Sequence, residues 1–249
     1  CLAQISLYFT ALANGQVAKM NLTNALVVYT HDDDAYVRDA TGAVLFAATG
    51  LELSVGDLLN GYVYGQRVNQ NGLPVLAKVE QRTNSSGYTL RTGMEVNPTE
   101  LNIEQLGTEH YADLVTLKSV RIDKNSGVWA WFNDTRVQLL NSFGLNSKTL
   151  LPTTPGSSFY NATGIAMPAN NTAEASHAVA LTTKVVKGTV PDAIDPLTIQ
   201  ELPDSEPLSV YTADGRFVAR TTAGTLATMS LRRGIYIVKS NSRAWRMAR

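Results

Sequence analysis

The stretch Tyr36–Gly65, YVRDATGAVLFAATGLELSVGDLLNGYVYG, decides the fold. Tyr36-Val37-Arg38-Asp39 reads as the end of a strand, and Asp39-Ala40-Thr41-Gly42 as a turn in which glycine is free to take positive φ. Ala43-Val44-Leu45-Phe46 is the returning strand. Val55-Gly56-Asp57 is a second turn, and Tyr62-Val63-Tyr64 a third strand. Together these pieces read as the middle of a small five-stranded barrel.

Upstream, Val17–Tyr29 (VAKMNLTNALVVY) alternates and then becomes β-branched, the pattern of a long strand. His31-Asp32-Asp33-Asp34 is the hairpin loop that follows. Downstream, Asn60–Val68 is a strand, Asn71-Gly72 marks a hairpin, and Leu73–Gln81 returns. Thr83–Gly87 reads as polar linker, and Thr99 as the cap of a short helix reaching Leu106.

The pattern then restarts. Leu114–Asp123, Val128–Asn133 and Arg136–Leu140 read as three strands, Ser142–Ser158 as a crossing segment, and Phe159–Ala166 and Ala178–Val186 as the last two strands. Tyr36–Asp39 aligns with Trp129–Asp134, and Gly61–Gly65 with Phe159–Ile165, so the order of elements predicts a duplication.

The strand order of each half resembles an OB-fold barrel. The first half is similar to OB-type repeats of exported Bacteroidetes proteins through Val27-Val28-Tyr29, Tyr36–Gly42, Val55-Gly56-Asp57 and Leu59–Gly65. The second half lacks Asp-Ala-Thr-Gly and Val-Gly-Asp and is assigned through the duplication.

Thr189–Pro207 holds four prolines and several acids and reads as a spacer. Beyond it, Val210-Tyr211, Asp214-Gly215-Arg216 and Leu231–Lys239 resemble the C-terminal sorting domain of type IX secretion substrates. That resemblance implies contact with secretion machinery or the cell envelope through residues 208–249, as an export signal or as a structural domain. The expected organisation is all-β: an OB-like barrel with an N-terminal helix over 1–100, a second OB-like barrel over 101–188, a linker over 189–207 and a small β-sandwich over 208–249.

Composition narrows the function classes. The chain has 249 residues, 44% of them hydrophobic, ample for cores. Only 17% are charged, below the average of about 25%, and the formal net charge is zero, so no general attraction to nucleic acid or anionic membrane is built in. The single cysteine, Cys1, excludes an intramolecular disulfide and a cysteine metal cluster. At a mature N-terminus Cys1 could carry a lipid anchor; the alternative is that it marks only where the chain was cut. Leu2, Ile5, Phe9 and Leu12 have helical spacing, read here as an amphipathic helix in preference to the end of a signal peptide. No run of about 20 apolar residues is present to span a membrane as a helix.

The residues carry little chemistry. His31-Asp32-Asp33-Asp34 clusters oxygens, but no glycine or acid follows at calcium-loop spacing, and adjacent carboxylates suit a solvated hairpin tip. His31, His110 and His177 have no metal spacing, and no Gly-x-Ser-x-Gly elbow occurs. No enzyme, metal or cofactor is therefore expected. The aromatics weigh most, because OB barrels bind oligonucleotides or oligosaccharides around their second and third strands. Candidate ligand-binding residues are Tyr36, Arg38, Tyr62 and Tyr64 in the first barrel and Trp129 and Trp131 in the second. Trp129 and Trp131 share one face of a strand, which is either ligand platform or core.

Charge discriminates among ligands. Residues 14–100 carry six basic and nine acidic side chains, and residues 101–188 seven and six. Neither barrel has the basic cluster that phosphate binding needs. Residues 207–249 carry eight basic and one acidic. The reading is a non-enzymatic exported or cell-surface protein, outer-membrane associated, binding a glycan or a protein. Single-stranded nucleic-acid binding and a purely structural role are the alternatives. Glycan binding predicts exposed Trp129 and Trp131; nucleic-acid binding predicts a basic groove beside Tyr36 and Tyr62; the structural role predicts that both sets are buried.

Overall fold

The structure is a computed structural model that describes residues 5, 13–80, 87–124, 127–152, 158–170, 173–189, 195–196, 203–226, 229–231, 234–240 and 244–248. Cys1, most of the N-terminal amphipathic stretch, the polar segment 83–86 and most of the proline-rich spacer lie outside these residues. The chain divides into two compact units, Cys1–Val190 and Pro191–Arg249. It is all-β, as its alternation predicts: two closed five-stranded barrels and a further C-terminal sheet. No helix among the described residues is long and apolar enough to cross a membrane.

The first barrel comprises β1 (Val17–His31), β2 (Asp34–Asp39), β3 (Gly42–Ala47), β4 (Leu58–Gln70) and β5 (Leu73–Glu80). Its order is β1-β2-β3-β5-β4, closed by pairing of β4 with β1. Two-residue turns at Asp32-Asp33 and Asn71-Gly72 make the expected hairpins, with Asp32, Asn71 and Gly72 at positive φ. In the Val55-Gly56-Asp57 turn Gly56 takes φ +89°, and a Cβ there would lie 2.6 Å from the Met94 carbonyl oxygen, so only glycine fits. Val27, Val37, Val44, Phe46, Leu59 and Leu76 are among the side chains that fill the interior, joined by Ile5 from the N-terminal stretch. The Ile5 N–H also donates to the Asp39 carboxylate at 3.1 Å.

β6 (Tyr88–Arg91) adds to the β4 edge. The helix expected from Thr99 is absent: Thr99–Leu101 forms strand β7, parallel to β8 (Leu114–Asp123). A 3-10 turn at Ile103–Gln105 replaces the helix, where the Gln105 side chain accepts from the Asn102 N–H. Thr99 is drawn into the strand because its hydroxyl donates to Asp113 at 2.9 Å, a tertiary contact that outweighs a local cap.

The second barrel adds β9 (Trp129–Phe132), β10 (Thr135–Leu140), α1 (Ser147–Leu150), β11 (Tyr160–Pro168) and β12 (His177–Leu181). Its order, β8-β9-β10-β12-β11 closed by β11 on β8, repeats that of the first. The repeat reaches the level of single side chains. β1 and β8 must each bend to pair with two neighbours, and each does so at a positive-φ residue, Asn24 in β1 and Ser119 in β8. The amide freed at each bend donates to an asparagine side chain of the fourth strand: Asn24 N–H to Asn60 at 2.8 Å, and Ser119 N–H to Asn161 at 3.0 Å. The run expected over Ala178–Val186 ends at Leu181, and β13 (Val186–Lys187) pairs instead with the start of β11.

The C-terminal unit is a sheet of β14 (Asp195–Pro196), β15 (Pro207–Thr212), β16 (Phe217–Thr222), β17 (Ile235–Lys239) and β18 (Ala244–Ala248), in the order β14-β18-β17-β15-β16. Asp214-Gly215 forms the hairpin turn between β15 and β16, as the sequence predicts. The inner face, Leu208, Val210, Val238, Trp245 and Met247 among others, is covered by α2 (Ala223–Leu226) with Met229 and Leu231. That segment forms the second layer among the described residues.

Candidate functional site

Strand alternation places Ala35 and Val37 in the interior of the first barrel and Tyr36 and Arg38 on its outer face. That face is closed. Tyr36 is 5% exposed, and its ring meets that of Phe143, from the segment after β10, edge-on at 6.0 Å. Phe143 also lies 4.7 Å from Tyr29 and 5.1 Å from His31. Burial, together with the nearby Asp34 carboxylate, pushes the Tyr36 hydroxyl well above the ordinary tyrosine range. A single cluster of buried side chains runs from Val28, Tyr36, Leu45 and Val75 of the first barrel into Leu117, Val137 and Ile165 of the second.

Arg38 closes the rim of this contact. Its guanidinium donates to Asp113 at 3.1 Å, to the Thr99 hydroxyl at 3.2 Å and to the Asn97 carbonyl at 2.6 Å. Two of the predicted ligand-binding residues, Tyr36 and Arg38, thus join the two barrels. The sequence carries no sign of this, because a barrel strand that binds a ligand and one that binds a neighbouring barrel have the same alternation.

Tyr62 and Tyr64 are half-buried on β4, edge to face at 5.8 Å, with the Lys19 ammonium 3.7 Å from the Tyr62 ring centroid. They lie on a different surface from Tyr36, so the four first-barrel candidates do not form one site.

On the second barrel, Trp129 and Trp131 do point to the same, outer side of β9, while Ala130 enters the core between Ile122 and Val137. Their fates differ. Trp129 is 1% exposed, covered by Ala169, Ala175 and Ala178 with Leu140 and Met167, and its indole N–H has no hydrogen-bond partner among the described residues. Small side chains let the β11–β12 connection settle over the ring, and expecting Trp129 to be open misjudged this. Trp131 stays half-exposed.

Register builds a platform around Trp131. Arg121 of β8 and Arg136 of β10 are its direct cross-strand partners. The Arg121 guanidinium carbon lies over the Trp131 ring at 5.2 Å and over the Phe159 ring at 5.1 Å, two cation–π contacts. Phe132, next along β9, packs against the core cluster with its ring 6.3 Å from that of Phe159. Arg136, exposed, approaches Glu174 at 3.9 Å. Sequence reasoning found Trp131 and missed Arg121, Arg136, Phe159 and Glu174, since only the register shows which residues flank it.

The remaining sequence candidates gather little chemistry. The Asp32–Asp34 tip borders an open cleft of about 270 Å3 with Thr49–Leu53. Asp34 accepts there from the Ala48 N–H, and no described group of three or more metal-ligating side chains forms. His177 contacts the Tyr111 hydroxyl at 2.9 Å, and burial lowers its pKa. In the C-terminal unit, Ser209, Tyr211, Arg220 and Lys239 line an open cleft of about 560 Å3. Neither models of known protein families nor curated proteins match the chain.

Proposed function

We propose that this chain is a non-enzymatic, exported or cell-surface binding protein whose second barrel takes a glycan on the Trp131 platform. The observation that carries the reading is a half-exposed indole on the outer face of β9, with arginines on both adjoining strands, one of which also lies over the Phe159 ring. Sugar rings present C–H faces to aromatic rings and hydroxyls to the charged groups around them, and a site of this composition supplies both. The repeated strand order is consistent with OB-like barrels, which bind oligosaccharides around the corresponding strands.

Burial of Tyr36 and the pairing of Arg38 with Asp113 support this reading over the nucleic-acid one, since neither side chain is open to a passing phosphate chain. The basic, open cleft of the C-terminal unit is the surface for contact with secretion machinery or the cell envelope, in keeping with the sorting-domain resemblance. The test is a glycan array probed with the wild-type chain and Trp131→Ala, beside anisotropy of a labelled single-stranded oligonucleotide at low and physiological salt. Glycan binding lost in Trp131→Ala supports the proposal. No glycan signal favours the structural alternative, and salt-sensitive oligonucleotide binding favours the nucleic-acid one.

A further inference from the structure

Resting on the glycan reading, we infer that the platform selects acidic sugars, with the carboxylate of a uronic acid received by Arg121 while its ring lies against Trp131. Three observations lead there. First, Arg121 is held in place. Its guanidinium carbon lies over both the Trp131 and Phe159 rings, at 5.2 and 5.1 Å, so two cation–π contacts hold the charge beside the indole before any ligand arrives. Second, Arg121 has no carboxylate partner among the described residues, whereas Arg38, Arg136 and Arg216 each have one. A half-buried guanidinium lying over two rings and lacking an acid is complete once a carboxylate binds it, and guanidinium–carboxylate pairs form two parallel hydrogen bonds. Third, register sets Arg121 directly across from Trp131, while Arg136 on the other flank is met by Glu174, so the charge available to a ligand lies on the Arg121 side of the indole.

The same surface argues against a phosphate chain. Glu174 meets the charge of Arg136 at 3.9 Å, which leaves Arg121 as the cation beside the indole with no carboxylate partner among the described residues, too little positive charge to track a phosphodiester chain. The second barrel also lacks the run of cations that tracks a nucleic-acid backbone.

The experiment is titration calorimetry of the full chain with galacturonate, glucuronate-containing and alginate oligosaccharides, each beside its methyl ester, which keeps the sugar and removes the charge. A single-stranded dT oligonucleotide is titrated in parallel. The expected result is binding of at least one acid form that weakens about tenfold or more in its ester, as loss of a charge-assisted pair implies. Arg121→Gln should abolish the difference between acid and ester, bringing the two to the same affinity, while Trp131→Ala should abolish binding of both. Equal binding of acid and ester, unaffected by Arg121→Gln, overturns the inference and leaves the glycan proposal standing. Binding to none of these sugars overturns the inference; if the array is also blank, the glycan proposal falls with it. Tighter binding to the oligonucleotide, lost in Arg121→Gln, overturns both.

Discussion

Phe143→Ala tests whether the two barrels are one structural body. The ring is 8% exposed and touches three aromatic side chains of the first barrel, Tyr29, His31 and Tyr36, although it belongs to the second. Truncating a buried phenylalanine costs about 3–5 kcal/mol. Tyr29 and His31 are half-exposed, so the hole opens toward solvent and can partly refill, which places the expected loss near the low end, about 3 kcal/mol. For a body of this size that lowers Tm by roughly 6–12 °C. Urea denaturation gives the magnitude, and hydrogen exchange gives the location. Amides of β2, 100 residues away in sequence, should lose protection together with those of β10. A loss below about 1 kcal/mol, or lost protection confined to the second barrel, would refute the shared core.

Arg38→Ala and Asp113→Ala should each cost about 2–3 kcal/mol, because each strands a partly buried charged partner. A double-mutant cycle should return a coupling of about 1–2 kcal/mol, and additive effects would show that the rim contact contributes nothing. Asn161→Ala should cost about 1–2 kcal/mol, because it leaves the part-buried Ser119 amide unpaired, and Asn60→Ala less, because water can replace it at the exposed Asn24 amide; the reverse order by denaturant midpoint would contradict the equivalence drawn between the bends. His177 has its pKa lowered from 6.5 by burial, so the unfolded chain takes up its proton first as pH falls. The stability it contributes is complete above pH 6.5 and is lost as pH falls from there through the lowered folded value. His177→Gln should flatten that part of the pH dependence of the urea midpoint, and an unchanged slope would assign it to other groups.

Much of the fold was legible because strands announce themselves locally. The alternation in Tyr36–Gly65 and the Asn-Gly and Asp-Gly turns placed most strands within a few residues. The duplication was readable from element order, yet its best marker, an asparagine of the fourth strand capping the bend of the first, needs register to be seen. Thr99 failed as a helix cap because its hydroxyl is committed to Asp113, 14 residues on. The site was half legible. Spacing put Trp129 and Trp131 on one side of β9, but alternation says nothing of what lies above a side chain, and alanines cover one indole while the other stays half-open. Arg121 joins Trp131 only through cross-strand pairing, ten residues away in sequence.

On the proposed glycan reading, the aromatic seam around Phe143 also bears on how strongly the chain would hold a repeating ligand. Tandem modules ordinarily raise avidity, since the second contact forms at the high local concentration set by the first. Here the outer face of β2 is spent on joining the two barrels, so the repeat carries this face open once per chain. On the proposed glycan reading, multivalent grip on a long polymer would then have to come from several chains side by side rather than from the two barrels of one.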